Sequence, residues 1–137
     1  DQPRSRGLGD VYKRQEYRYM NIPRATDPNQ AAMFDIDDTL IDSSDHTRME
    51  NVYALYKSLQ TKGYKMVIIT ARPGYYENVV YTQEQLKSHN IYYDELIFTP
   101  PPGKSVYKKN SRYDYIVSVG DMDTDLTDSV YAVKISK

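Results

Sequence analysis

Residues 31–40 read A-A-M-F-D-I-D-D-T-L. The first four are a short apolar run of buried-strand type, and the run ends abruptly in acids. Side chains repeat every second residue along a strand, so Asp35 and Asp37 are expected on one face while Ile36 points away. Working outward, Y-K-M-V-I-I-T (64–70), E-L-I-F (95–98), Y-I-V-S-V-G (115–120) and Y-A-V-K-I (131–135) are further strands. Between them lie helical patterns. Residues 47–62 carry Met49, Val52, Tyr53, Tyr56 and Leu59 at helical spacing, with Thr47 and Glu50 as a capping box and Gly63 as the stop. A second helix is predicted over 75–89, with Tyr76, Val79, Val80 and Leu86 on one stripe. A third, short one is predicted over 105–112, after Pro100, Pro101 and Pro102. Strands alternating with helices mean βαβ units and a parallel sheet. The near-continuous apolar strands agree, because parallel sheets are covered on both faces. The expectation is a three-layer, Rossmann-like α/β domain of about five parallel strands over 31–137.

What precedes it reads differently. Residues 1–15 have four basic residues, no hydrophobic periodicity, and glycines at 7 and 9. The string P-R-S-R-G-L-G-D-V-Y-K-R-Q resembles translated sequencing-adapter read-through, so it is set aside as a non-native or disordered leader. Residues 16–30 are polar, contain Pro23 and Pro28, and read as a lead-in loop. No apolar stretch follows the early charges, so nothing resembles a signal peptide, and the expected location is cytoplasmic.

Composition narrows the function classes. The 137 residues include no cysteine, which removes thiol nucleophiles, disulfide scaffolds and Cys-type zinc sites. Only two histidines, His46 and His89, are present. No apolar run approaches the ~18 residues of a membrane span. Eighteen basic against 19 acidic residues give a net charge of −1, without the basic surplus of a dedicated nucleic-acid binder. That near-zero value conceals a pattern. Asp35, Asp37, Asp38, Asp42 and Asp45 form one cluster, and Asp121, Asp123, Asp125 and Asp128 another.

In open α/β sheets, ligands bind beyond the carboxyl ends of the strands. There the first strand presents Asp35 and Asp37, the second Thr70-Ala71-Arg72, and the fourth Gly120-Asp121. Carboxylates held this close repel one another and need a cation or a shared proton. With Asp121 arriving from a neighbouring strand, the result is a hard, all-oxygen site suited to Mg²⁺.

These residues also carry a family likeness. D-I-D-D-T-L (35–40), I-I-T-A-R (68–72), a downstream lysine and G-D-M-D-T-D (120–125) resemble, in order, the four motifs of the haloacid dehalogenase superfamily of phosphatases. The likeness covers essentially all of 31–137. T-A-R-P (70–73), Y-K-K-N-S-R (107–112) and G-D-M-D-T-D-L (120–126) are similar to its class B and plant-type acid phosphatase branch. The resemblance implies a Mg²⁺-dependent phosphomonoester hydrolase. In it Asp35 is the nucleophile and Asp37 the general acid and base. Thr70 and Lys108 bind the phosphoryl group, with Ala71 and Arg72 beside them. It further implies that the metal is held by Asp35, the main-chain carbonyl of Asp37, and Asp121, with Asp125 orienting a metal water or Lys108. Lys104 and Lys109 also fall in the lysine's interval, but Lys108 fits the Y-K-x-x-x-R pattern with Tyr107 and Arg112.

Several rivals fall on their own motifs. Gly103-Lys104-Ser105 mimics the end of a P-loop, but Phe98 stands where its first glycine is required. Asp121, Asp123 and Asp125 mimic an EF-hand start, but Leu126 and Ala132 occupy the positions of its glycine and glutamate. A receiver-like module would need an acceptor aspartate ahead of Thr70. A silent phosphate-binding module would normally have lost one of Asp35, Asp37 and Asp121. His89 is expected near a helix C-terminus in a structural role, and His46 is a minor candidate for substrate contact. Only 34 residues separate Asp35 from Thr70, too few for a cap domain, so an open site is expected. It would admit a phosphorylated small molecule or an exposed phosphate on a macromolecule, and a neighbouring subunit could serve as lid. A polynucleotide 3′-phosphatase or nucleotidase is the alternative within the superfamily. The net −3 over 31–137, from 12 basic and 15 acidic residues, disfavours nucleic acid.

Overall fold

Strand β1 (Gln30–Phe34) occupies the centre of a five-stranded sheet in a computed structural model that describes residues 21–136. The leader expected over 1–15, and residues 16–20 of the lead-in, lie outside the described residues. After β1 come α1 (Glu50–Thr61), β2 (Lys65–Thr70), α2 (Tyr76–Ser88) and β3 (Glu95–Phe98). Then follow α3 (Gly103–Asn110), β4 (Asp114–Gly120), a 3₁₀ turn (Asp123–Asp125) and β5 (Tyr131–Lys134). The strand order is β3-β2-β1-β4-β5, and every neighbouring pair is parallel. The chain thus builds outward from β1 on one side, then crosses back to add β4 on the other. The crevice between β1 and β4 is the switch point at which such sheets bind ligands.

The two sheet faces bury different clusters. Ala32 and Phe34 of β1 pack with Met66, Ile68, Val117 and Val119 beneath α1 and α2, which contribute Val52, Leu55, Tyr56, Leu59 and Leu86. Ala31, Met33, Val67 and Ile69 face the other way, with Tyr113 and Tyr115, and Tyr107 of α3 packs against them. Period-two alternation thus serves both faces at once, which is why the strands read as unbroken apolar runs. Residue 22 extends this core past the expected boundary at 31. Ile22 is buried in the larger cluster, and its carbonyl accepts a bond from Lys62 Nζ at 2.6 Å.

Three local expectations are corrected. Helix α1 starts at Glu50 on Met49, with no side-chain cap. Thr47 Oγ1 donates instead to Asp45 Oδ1 at 2.7 Å, while Glu50 accepts from Arg48. A short turn around Asp45 thus competes for the hydroxyl that the capping box required. In α2, only Leu86 of the stripe Tyr76, Val79, Val80 and Leu86 is buried. Tyr76 is 78% exposed, and Thr82, Gln85 and Leu86 are buried. Helix α3 begins at Gly103, two residues earlier than expected, and so takes in Lys104. The stop after α1 is as expected: Gly63 adopts φ +95°, and Gly63 and Tyr64 donate back to Gln60 and Leu59, closing the helix in the left-handed conformation that glycine permits.

Candidate active site

The carboxyl ends of β1, β2 and β4 lie side by side, within two residues of one another. Phe34 is in register with Ile68 on one side and Val119 on the other, and Asp35 N–H extends the ladder to Val119 O at 3.1 Å. Asp35, Thr70 and Asp121 therefore emerge at one end of the sheet. Asp35 continues the parity of Ala31 and Met33, which places its side chain toward the face that α3 covers.

From that face comes Lys104. Its Nζ donates to Asp35 Oδ1 at 3.1 Å and to Asp125 Oδ1 at 2.5 Å, with Asp35, Lys104 and Asp125 all buried. Asp125 Oδ2 accepts the Met122 N–H at 3.1 Å. Carboxylate oxygens of Asp35, Asp121 and Asp125 lie within 4.8 Å of one another. Gly120 is what allows the approach. A Cβ there would lie 2.3 Å from both Cβ and Oδ2 of Asp125.

The electrostatics follow from burial. Desolvation, reinforced by Asp125, pushes the Asp35 carboxyl up to about 7 against the pull of Lys104. Asp121 is also raised, chiefly by burial. Burial alone would lower Lys104, but Asp35 and Asp125 outweigh it and hold the ammonium above its usual range. Three acids facing one lysine are thus short of positive charge, and an oxygen-liganded divalent cation fits that deficit. Asp35, Asp121 and Asp125 are the residues that would hold it.

Asp37 does not share this environment. Strand geometry ends at Phe34, and the Ile36 carbonyl accepts the N–H groups of Thr39, Leu40 and Ile41, so the chain turns here rather than continuing as a strand. The Asp37 carboxylate instead receives a bidentate pair from Arg72, Nε to Oδ2 at 3.0 Å and Nη2 to Oδ1 at 2.9 Å. The third arm, Nη1, donates to the buried Thr82 Oγ1 of α2 at 3.0 Å. Arg72, expected beside the phosphate, is therefore engaged with Asp37. Thr70 is fully buried, and its Oγ1 accepts the Arg72 N–H at 3.1 Å, leaving its own hydroxyl proton available. Ala71 is exposed between them.

The two lysines of α3 are placed differently. Lys108 lies one turn beyond Lys104 on the same helix face. Its Nζ donates to Ser118 Oγ at 2.9 Å and to the carbonyls of Asp125 and Thr127 at 2.7 Å each, not to Asp35. Burial lowers this ammonium to about 8. As an i, i+4 pair the two lysines share a face of α3, and Lys104 is the one that meets Asp35. Lys109 is exposed. His46 is exposed with φ 64° in the loop after β1, and His89 caps the C-terminus of α2 as expected.

Residues 32–111, more than half of the chain, match the family described as haloacid dehalogenase-like hydrolase. No curated protein matches the chain.

Proposed function

Since the chain belongs to the haloacid dehalogenase-like hydrolase family, we propose that it hydrolyses phosphomonoesters with Mg²⁺ through an aspartyl-phosphate on Asp35. The observation that carries this reading is the buried triad in which Lys104 joins Asp35 to Asp125 beside Asp121. It combines a carboxylate nucleophile, a fixed cation and an acidic metal cluster at the switch point of the sheet.

In this reading an Asp35 oxygen attacks phosphorus in line, and the P–O bond to the leaving alcohol breaks. Asp37 gives that oxygen its proton, then takes one from the water that cleaves the acyl phosphate. Arg72 uses two of the lone-pair positions on Asp37 and leaves the others for the leaving group or water. Lys104, rather than Lys108, neutralises the transferred phosphoryl group, and the Thr70 hydroxyl donates to one of its oxygens. Bound at the three carboxylates, Mg²⁺ would supply the positive charge that an anionic nucleophile needs near an anionic phosphate. The likeness to the class B and plant-type branch rested on residues 70–73, 107–112 and 120–126 together, the second through Tyr107-Lys108-x-x-x-Arg112. Since that lysine faces the 125–129 loop, the proposal stays with the phosphomonoesterase class.

The test is p-nitrophenyl phosphate hydrolysis by wild type and Asp35→Asn, each with Mg²⁺ and with EDTA. Turnover is expected only for wild type with Mg²⁺. Equal rates in all four arms, or none with Mg²⁺ across a panel of phosphate esters, would overturn the reading.

A further inference from the structure

Lys108 is a buried ammonium, 3% exposed, and its three protons are matched by three acceptors. These are the Ser118 hydroxyl on β4 and the carbonyls of Asp125 and Thr127. The same small network continues through Ser129, whose Oγ is hydrogen-bonded to Ser118 Oγ and donates to Thr127 O at 3.2 Å. One cation thus ties α3, β4 and the segment 125–129 together. With every proton used, it has no donor left for a substrate. Burying an ammonium is expensive unless all its hydrogen bonds are met, and here two of the three are met by the loop that carries Asp125.

Asp125 is therefore gripped from both ends by consecutive turns of α3. Lys104 holds its carboxylate at 2.5 Å and Lys108 its carbonyl at 2.7 Å. Displacement of the Asp125 backbone would carry its carboxylate away from Lys104 and from the cluster with Asp35 and Asp121.

We propose that Lys108 is a positioning residue: by fixing the 125–129 segment it sets Asp125, and through Asp125 the place of Lys104 and the geometry of the carboxylate cluster. The inference rests on the reading of Asp35, Lys104 and Asp125 as the active centre.

The experiment compares the full-length wild type with Lys108→Met and Ser129→Ala. It uses steady-state kinetics on p-nitrophenyl phosphate, Mg²⁺ binding by calorimetry, and circular dichroism. Loss of an outer support of a metal site costs ~10–100-fold in affinity or activity. Lys108→Met is therefore expected to lose that much in kcat and to weaken Mg²⁺ binding in parallel, with KM within about twofold of wild type. Ser129→Ala, which removes one hydroxyl, should move the same two quantities in the same direction by less. A folded Lys108→Met with wild-type kcat and Mg²⁺ affinity overturns the proposal. So does a loss confined to KM, which would make Lys108 a substrate contact. If Lys108→Met does not fold, Ser129→Ala decides, and unchanged kcat and Mg²⁺ affinity there count against it. A wild type that binds Mg²⁺ but spares every phosphate ester defeats the phosphatase reading alone, because the Mg²⁺ arm still judges Lys108. A wild type that binds no Mg²⁺ defeats both.

Discussion

Lys104 and Lys108 differ by one helical turn, and that turn separates an ammonium bonded to Asp35 and Asp125 carboxylates from one bonded to Ser118 and two loop carbonyls. Lys104→Ala should lower kcat on p-nitrophenyl phosphate by ~10²–10³, the usual cost of deleting a preorganised donor to developing charge. Lys108→Ala should cost less, ~10–100-fold. The reverse order would return the phosphoryl group to Lys108. Gly120 offers a second test at the same scale. An alanine Cβ would lie 2.3 Å from Asp125 Oδ2, so the loop or strand must shift. We expect Gly120→Ala to destabilise the fold by about 1–3 kcal/mol, as overpacking does, and to weaken Mg²⁺ binding. Denaturant midpoints and calorimetry read the two effects separately. The glycine was legible in the G-D-M-D-T-D motif, but its reason was not. Only the folded distance shows that Asp125 fills the space a side chain would need.

Between elements, Arg72 is the joint that relates β1 to α2. It reaches from the end of β2 to Asp37 on one side and Thr82 on the other, and its side chain is only 12% exposed. A lysine cannot reproduce a planar, bidentate fork. Arg72→Lys should therefore leave the thermal midpoint close to wild type yet lower kcat by ~10–100-fold, since small misplacement of a reacting group is costly. Wild-type kcat in this variant would show that Asp37 is aimed by something else. Sequence placed Asp37 and Arg72 at neighbouring strand ends but could not pair them. The turn at Ile36 is fixed by three N–H groups converging on one carbonyl, and after it the Asp37 carboxylate meets the Arg72 guanidinium.

For the molecule as a whole, the acid cluster couples folding to protons and metal. With Asp35 raised from 3.8 to about 7 in the metal-free fold, the folded chain holds a proton between those values that the unfolded chain has released. Stability then falls as pH rises through that window and levels off above it. Mg²⁺ requires the ionised carboxylate, so its binding should release a proton below about pH 7 and strengthen with pH up to that point. Thermal midpoints with Mg²⁺ and with EDTA, from pH 5 to 8, should diverge as pH increases. Parallel curves would show that Asp35 does not titrate with the metal site. No helix among the described residues is long and apolar enough to cross a membrane.

The sequence by itself determined the five strands, their alternation with helices, and the gathering of Asp35, Thr70 and Asp121 at one end of the sheet. Period-two and period-3.6 burial, with glycine and proline stops, are local signals that survive without coordinates. Tertiary structure decided which lysine meets Asp35, why Asp37 turns to Arg72, and how Asp125 is held. Each depends on where a helix begins or a strand stops bending, to within a residue or two. Those boundaries are set by competing hydrogen bonds and packing across the chain rather than by local pattern.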